Sequence, residues 1–97
     1  MASTEAIAST TAAGYSAAIA LDLGDSISVW VDEPLRAGEF VAVEQSADDG
    51  SSWIPLNDGE YQGRVLEYNR CRCSLSGPGT FRLAKSFTET ATTVYYD

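Results

Sequence analysis

The sequence predicts an all-β fold, an antiparallel β-sandwich of about eight strands. Two observations predict it. From Ser16 onward, short runs of alternating apolar and polar residues recur at spacings of roughly 8 to 12 residues, separated by Gly, Pro, Asn and Asp. No stretch carries the helical spacing of apolar residues, so the strands must be joined by hairpins and crossovers rather than helices. The chain has 97 residues, 44% of them hydrophobic, which is enough for one compact domain and too little for two. Whether the strands follow an immunoglobulin-like or a jelly-roll order is left open by the alternation alone.

The elements follow in order. Residues 1–15 are rich in Ala, Ser and Thr and show neither period. They are expected as an extended arm, flexible if left alone and held by a neighbouring subunit or a larger assembly, with residues 16–97 as the sandwich domain. Thr4, Ile7, Thr10 and Tyr15 are the arm's candidate contacts, and deleting residues 2–14 is expected to leave the domain folded. In AIALDL, Ile19, Leu21 and Leu23 alternate with Ala20 and Asp22 before a Gly24-Asp25 turn. SISVWV sets Ile27, Val29 and Val31 on one face against Ser28 and Trp30 on the other. DEPLRAGE is a loop, and FVAVEQ is a strand with Val41 and Val43 on one side. WIPL, the turn NDGE (57–60), RVLEYN and CRCSL come next. The turn SGPG, with Gly77, Pro78 and Gly79, leads into TFRLAK, and TTVYY closes the pattern. The core candidates are Val29, Val31, Val41, Val43, Leu66, Leu75, Phe81 and Leu83.

Charge restricts the function classes. Six basic residues stand against fourteen acidic ones, for a net charge of -8. Nucleic-acid binders need clustered Lys and Arg, so no nucleic-acid partner is expected. Residues 1–62 hold one basic and eleven acidic residues and residues 63–97 hold five and three, so the halves carry -10 and +2. That asymmetry is a hint of subunit contacts, and ordinary solvated charge accounts for it as well. The start of the chain lacks the pattern of a secretory signal, and no run reaches the roughly 18 apolar residues of a membrane span, so a cytoplasmic site of synthesis and no membrane partner are expected.

Catalytic sets are hard to assemble. The chain has no His, so neither a Ser nor Cys71 or Cys73 has a conventional base. The CRC spacing puts both thiols on one face of a strand, poorly placed to bridge each other and short of the ligands for zinc, and they are expected as buried free thiols. Asp48, Asp49, Asp58 and Glu60 could in principle supply paired carboxylates or calcium oxygens, but they fall in turns without a calcium-loop spacing and read as solvated turn acids. No catalytic residue, metal or cofactor is expected.

SADDGSSW, residues 46–53, reads S-x-D-x-G-x-S-W and resembles the Asp-box of sialidases and other β-propeller glycosidases. A propeller needs several repeats of about 40 to 50 residues, and the chain contains no internal repeat. The motif is therefore expected to be a structural hairpin: Ser46 and Asp48 bond nearby amides, Gly50 supplies an angle other residues resist, and Trp53 covers the hairpin end.

A wider resemblance covers most of residues 17–96. A strand entering LDLGDSISV, the hairpin VAVEQSADDGSSWIPL and a later SGPGTFRLAK resemble small β-sandwich structural proteins of tailed bacteriophages, with Asp49 in place of a usual Gly and Phe81 where Tyr is common. The resemblance implies a virion component: a capsid decoration protein or the base of a head fibre, partnered by the major capsid protein or other virion subunits. It also implies a homo-oligomer on the virion, assembled in the host bacterial cytoplasm, where free thiols persist. Arg70 and Arg72, flanking Cys71, are candidate interface residues with Arg82 placed beside them, and pairing with the chain's own acids is an equal alternative. The alternative is a carbohydrate-binding β-sandwich module, offering Trp30, Trp53, Tyr61 and Tyr68 to sugar rings.

Overall fold

A computed structural model describes residues 3–55, 64–68 and 70–97. These residues form ten β-strands and no helix: β1 Thr4–Thr10, β2 Gly14–Tyr15, β3 Ile19–Leu21, β4 Ser26–Val31, β5 Val41–Ser46, β6 Ile54–Pro55, β7 Arg64–Leu66, β8 Arg72–Ser76, β9 Gly79–Lys85 and β10 Thr92–Tyr96. The predicted turn at 57–60, with Asp58, Glu60 and the nearby Tyr61, lies outside the described residues.

One sheet has the order β1-β10-β4-β8. In the other, β9 and β5 lie side by side, β2 and β3 share the outer edge of β9, and β6 and β7 share the outer edge of β5. Every pairing is antiparallel. Counting β2 with β3 and β6 with β7 as single columns, the first column pairs the last, the second the second-last, and so on inward to the β5–β6 hairpin. That is a long antiparallel ribbon, folded back at residues 46–53 and rolled until β10 meets β4 and β9 meets β5. The rolled ribbon is the jelly-roll order, not the immunoglobulin-like one.

Alternation explains how the roll closes. Ile7, Val29, Val31, Leu75 and Val94 from one sheet and Ile19, Leu21, Val41, Val43, Leu66, Phe81 and Leu83 from the other form one buried cluster, joined by Leu35 from the β4–β5 loop. All eight predicted core residues are in it. The small residues at the β8–β9 turn allow the ends to meet. A Cβ on Gly77 would lie 2.4 Å from the Asp22 carbonyl oxygen, so only glycine lets the 22–25 turn pack there, its Asp25 carbonyl accepting from Gly77 N at 3.0 Å.

The N-terminal segment corrects the expected separate arm. Thr4–Thr10 is an edge strand of the first sheet, pairing Thr4 with Tyr96, Ile7 with Val94 and Thr10 with Thr92, and Ile7 is in the core. The chain then crosses to the second sheet, where Gly14 pairs Lys85 and Tyr15 pairs Ala84. Neighbouring strands of the same chain hold it, through backbone pairing that its composition does not signal. Removing residues 2–14 would therefore strip β1 from the first sheet and take Gly14 from the edge of the second.

The crossing is pinned by Lys85. It continues the inward-facing series Phe81, Leu83 to the end of the sandwich and is 3% exposed. Its ammonium donates to the carbonyls of Ala12 at 3.2 Å and Ser86 at 3.1 Å and to Thr88 Oγ1 at 3.0 Å, so all of its donors are satisfied. Burial lowers the Lys85 pKa, partly offset by the Glu39 carboxylate.

Candidate functional site

The Asp-box stretch sits at the fold-back of the ribbon, between β5 and β6, and its side chains bond to their own hairpin. Ser46 is the last residue of β5 and is buried. Its hydroxyl donates to Asp48 Oδ1 at 2.7 Å and accepts from Gly50 N at 2.8 Å. Asp48 Oδ1 also accepts from Ser52 N at 2.9 Å, and Oδ2 accepts from the Ser52 hydroxyl at 2.7 Å. These donors favour the ionised form: the Ser52 hydroxyl first, then the Ser46 hydroxyl and the Ser52 amide, bring the Asp48 pKa down to about 2. Asp49 and Gly50 carry φ of 58° and 94°, the left-handed angles that reverse the chain. Asp49 thus occupies a position suited to glycine, which Asp tolerates better than most residues. Trp53 is half-buried, with its ring edge against Gly50.

Beside the hairpin lies an arginine–aromatic stack. On the outer face of the second sheet, Arg82 of β9 stands opposite Glu44 of β5, and Arg82 Nε donates to Glu44 Oε1 at 2.6 Å. The guanidinium lies 3.8 Å from the Tyr15 ring centre and 4.8 Å from that of Trp53. Guanidinium planes stack on aromatic faces in this way because the ring quadrupole attracts the cation. The arrangement ties β2, β9, β5 and the residue after the hairpin into one unit.

Another stack is on the outer face of the other sheet. Trp30 of β4 faces Arg72 of β8 on one side and Tyr95 of β10 on the other. The Arg72 guanidinium lies 4.5 Å from the Trp30 ring centre, and the Tyr95 ring stacks at 5.8 Å with 21° between planes. Both faces of the indole are therefore covered within the chain.

The predicted interface residues separate accordingly. Arg72 and Arg82 are on opposite sheets, which corrects the expectation that Arg82 lies beside Arg70 and Arg72. Arg70 closes a tight turn with Glu67, the two residues exchanging backbone hydrogen bonds of 2.9 and 3.0 Å. Thr4 is exposed, Thr10 is half-buried, and Tyr15 is 61% exposed outside its contact with Arg82. Gly77 and Pro78 form the bend between β8 and β9, and Gly79 opens β9 where a Cβ would meet the Phe81 ring. Of the two thiols, Cys71 is exposed rather than buried, because it precedes β8. Cys73 is half-buried, and burial pushes its pKa up to about 11. Tyr68 is 61% exposed. Among the described residues, no three His, Cys, Asp or Glu side chains converge as a metal site would require.

A groove of about 450 Å³ lies on the outer face of the second sheet. Ala42 and Ala84, paired in register, lie within it, bordered by Tyr15, Phe40, Glu44 and Pro55. Sequence reasoning missed Glu44, Tyr95 and Lys85 as partners, because each contact joins segments distant along the chain and is visible only once the register is known. Comparison with family models, curated proteins and solved structures finds no match to this chain.

Proposed function

We propose that this chain is a non-enzymatic structural protein of a tailed-phage virion, binding the outside of the capsid as a decoration or cement protein or as the base of a head fibre. The observation that carries the reading is the commitment of the Asp-box to its own hairpin. Both oxygens of Asp48 accept hydrogen bonds from Ser46 and Ser52, and the low pKa keeps the carboxylate ionised and unsuited to proton transfer at neutral pH. Arg82 and Arg72 are likewise engaged with Glu44 and with aromatic rings, as bracing elements. A small, cross-braced sandwich fits a role in which the protein bridges neighbouring capsid subunits, so that separating them breaks additional contacts. Many copies on one lattice gain effective concentration as well.

The jelly roll supports the reading only as analogy, since viral capsid and lectin domains both use it. Carbohydrate binding is therefore the second reading, and the groove beside Tyr15, Phe40 and Glu44 is the observation that favours it. The covered faces of Trp30 argue against the other sheet as a sugar platform. Co-sedimentation of the purified chain with empty capsids of the encoding phage tests the proposal. Saturable binding at a fixed ratio to the capsid subunit is expected. A chain that stays in the supernatant but is retained on a polysaccharide column would overturn the virion reading in favour of the second.

A further inference from the structure

β8 ends its sheet, and among the described residues no strand pairs its outer edge, a geometry that the assembly reading does not use. Val31 N donates to the Cys71 carbonyl and Gly77 N to the Asp25 carbonyl, which fixes the alternation along the strand between them. Cys71, Cys73, Leu75 and Gly77 turn their backbone polar groups toward β4. Arg72, Ser74 and Ser76 turn theirs away, and among the described residues nothing hydrogen-bonds them. Unpaired edges template further pairing unless blunted by bulges, breaks, proline or charge. The other edges are blunted: β1 carries register irregularities at Glu5/Ile7 and Ile7/Thr10, and the second sheet's edges are built from the short strands β2 with β3 and β6 with β7. β8 pairs β4 from Arg72 to Ser76 without irregularity and contains no proline, and its one charged side chain, Arg72, is turned onto Trp30 of β4.

We propose that β8 is a homotypic interface, at which two copies of this chain pair their β8 strands antiparallel about a twofold axis at Ser74 to make one continuous sheet. The register is self-selecting. With the axis at Ser74, Ser74 faces Ser74 of the second copy and Arg72 faces Ser76, so every outward amide and carbonyl of the strand is paired. An axis at Arg72 opposes like charges, an axis at Ser76 sets Ser74 against Pro78, which has no donor, and an axis at Cys73 or Leu75 leaves outward groups unmatched. On the core side, half-buried Cys73 is covered by Leu75 of the second copy. The Arg72 stack on Trp30 stays outside the new pairing.

Sedimentation equilibrium of the full chain across a wide concentration range tests this. A monomer–dimer equilibrium is expected. Ser74→Pro removes an outward amide without touching a β4 hydrogen bond, so it should retain the melting temperature within a few degrees and abolish the dimer. Should that variant fail to fold, Ser74→Cys in a Cys71→Ser, Cys73→Ala background decides the matter. Opposed Cα atoms about 5.5 Å apart are within disulfide reach, so oxidation should give a covalent dimer, while Ser9→Cys on β1 in the same background should not. A wild-type chain that stays monomeric to millimolar concentration overturns the proposal, as does a dimer that survives Ser74→Pro. A monomer whose capsid binding is lost with Ser74→Pro also overturns it, assigning the edge to a segment of another protein.

Discussion

Ile7→Ala tests whether the N-terminal strand belongs to the cooperative unit. Ile7 is the only buried residue of β1, 8% exposed and opposite Val94, which is fully buried. Truncation removes three carbons worth about 0.8 kcal/mol each, or about 2.4 kcal/mol of transfer free energy. A cavity term raises such costs, but a strand with one free edge can settle into the space, so a total of about 2 to 3 kcal/mol is expected, toward the low end for buried Ile→Ala. For a domain of this length, each kcal/mol moves the melting temperature by roughly 4 to 8 °C, so the variant should melt about 10 to 20 °C lower. Ala8→Ser, on an exposed position of the same strand, should change stability by less than about 0.5 kcal/mol. Urea titration followed by circular dichroism and by tryptophan fluorescence should give coincident transitions with an unchanged slope. If Ile7→Ala and Ala8→Ser were indistinguishable from wild type by both probes, β1 would not be part of the folding unit, and the separate-arm expectation would stand instead.

Gly77→Ala should cost about 1 to 3 kcal/mol in the same titrations, because its Cβ would overlap the Asp22 carbonyl and the 22–25 turn would have to move; an unchanged midpoint would refute that close packing. The Asp48 carboxyl should titrate with a midpoint near pH 2 by carbon NMR. Because its folded pKa lies below the unfolded value, its contribution is complete above about pH 5 and is lost as the pH falls through 2, so a midpoint near the ordinary 3.8 would refute the hairpin bonds. Iodoacetamide at pH 8 should modify exposed Cys71 well before Cys73, whose thiol is half-buried with a pKa near 11, and equal rates in peptide mass spectra would contradict that placement.

The sandwich was legible because most of its core candidates lie on strands where apolar and polar residues alternate, so that a residue's face follows from its parity; Leu66, adjacent to Val65 in the poorly alternating RVLEYN, was the weakest of them. β1 was not, since TEAIAST buries only Ile7 and a single buried residue has no period. Its strand character comes from β10, more than eighty residues away in the chain. The Asp-box was readable at close quarters for the opposite reason: Ser46, Asp48, Gly50 and Ser52 bond within four residues of one another, so the pattern itself is the structure. Arg82 and Arg72 fall between these cases. Their outward direction was legible from strand parity, but which sheet each occupies depends on the roll, and only the roll brings Arg82 to Glu44 and Tyr15.

The rolled ribbon also explains why the short-range motif lies where it does. A jelly roll is dominated by contacts between distant segments, and its loop-closure cost falls before those contacts form. The β5–β6 hairpin is the fold-back of the ribbon, so it sets the starting register for every pairing further out. A slip of one residue there would turn Val41 and Val43 outward and Ala42 and Glu44 inward, burying a carboxylate without Arg82. The cluster of hydrogen bonds around Asp48 and the Arg82–Glu44 pair next to it act against that slip from both sides of β5. Variants of either should therefore loosen register as well as lower stability. Ser46→Ala combined with Arg82→Lys is expected to be more destabilising than the sum of the single changes, by a coupling of about 0.5 kcal/mol or more. Strict additivity in a double-mutant cycle would show that hairpin and ion pair act independently and that the register is set elsewhere in the roll.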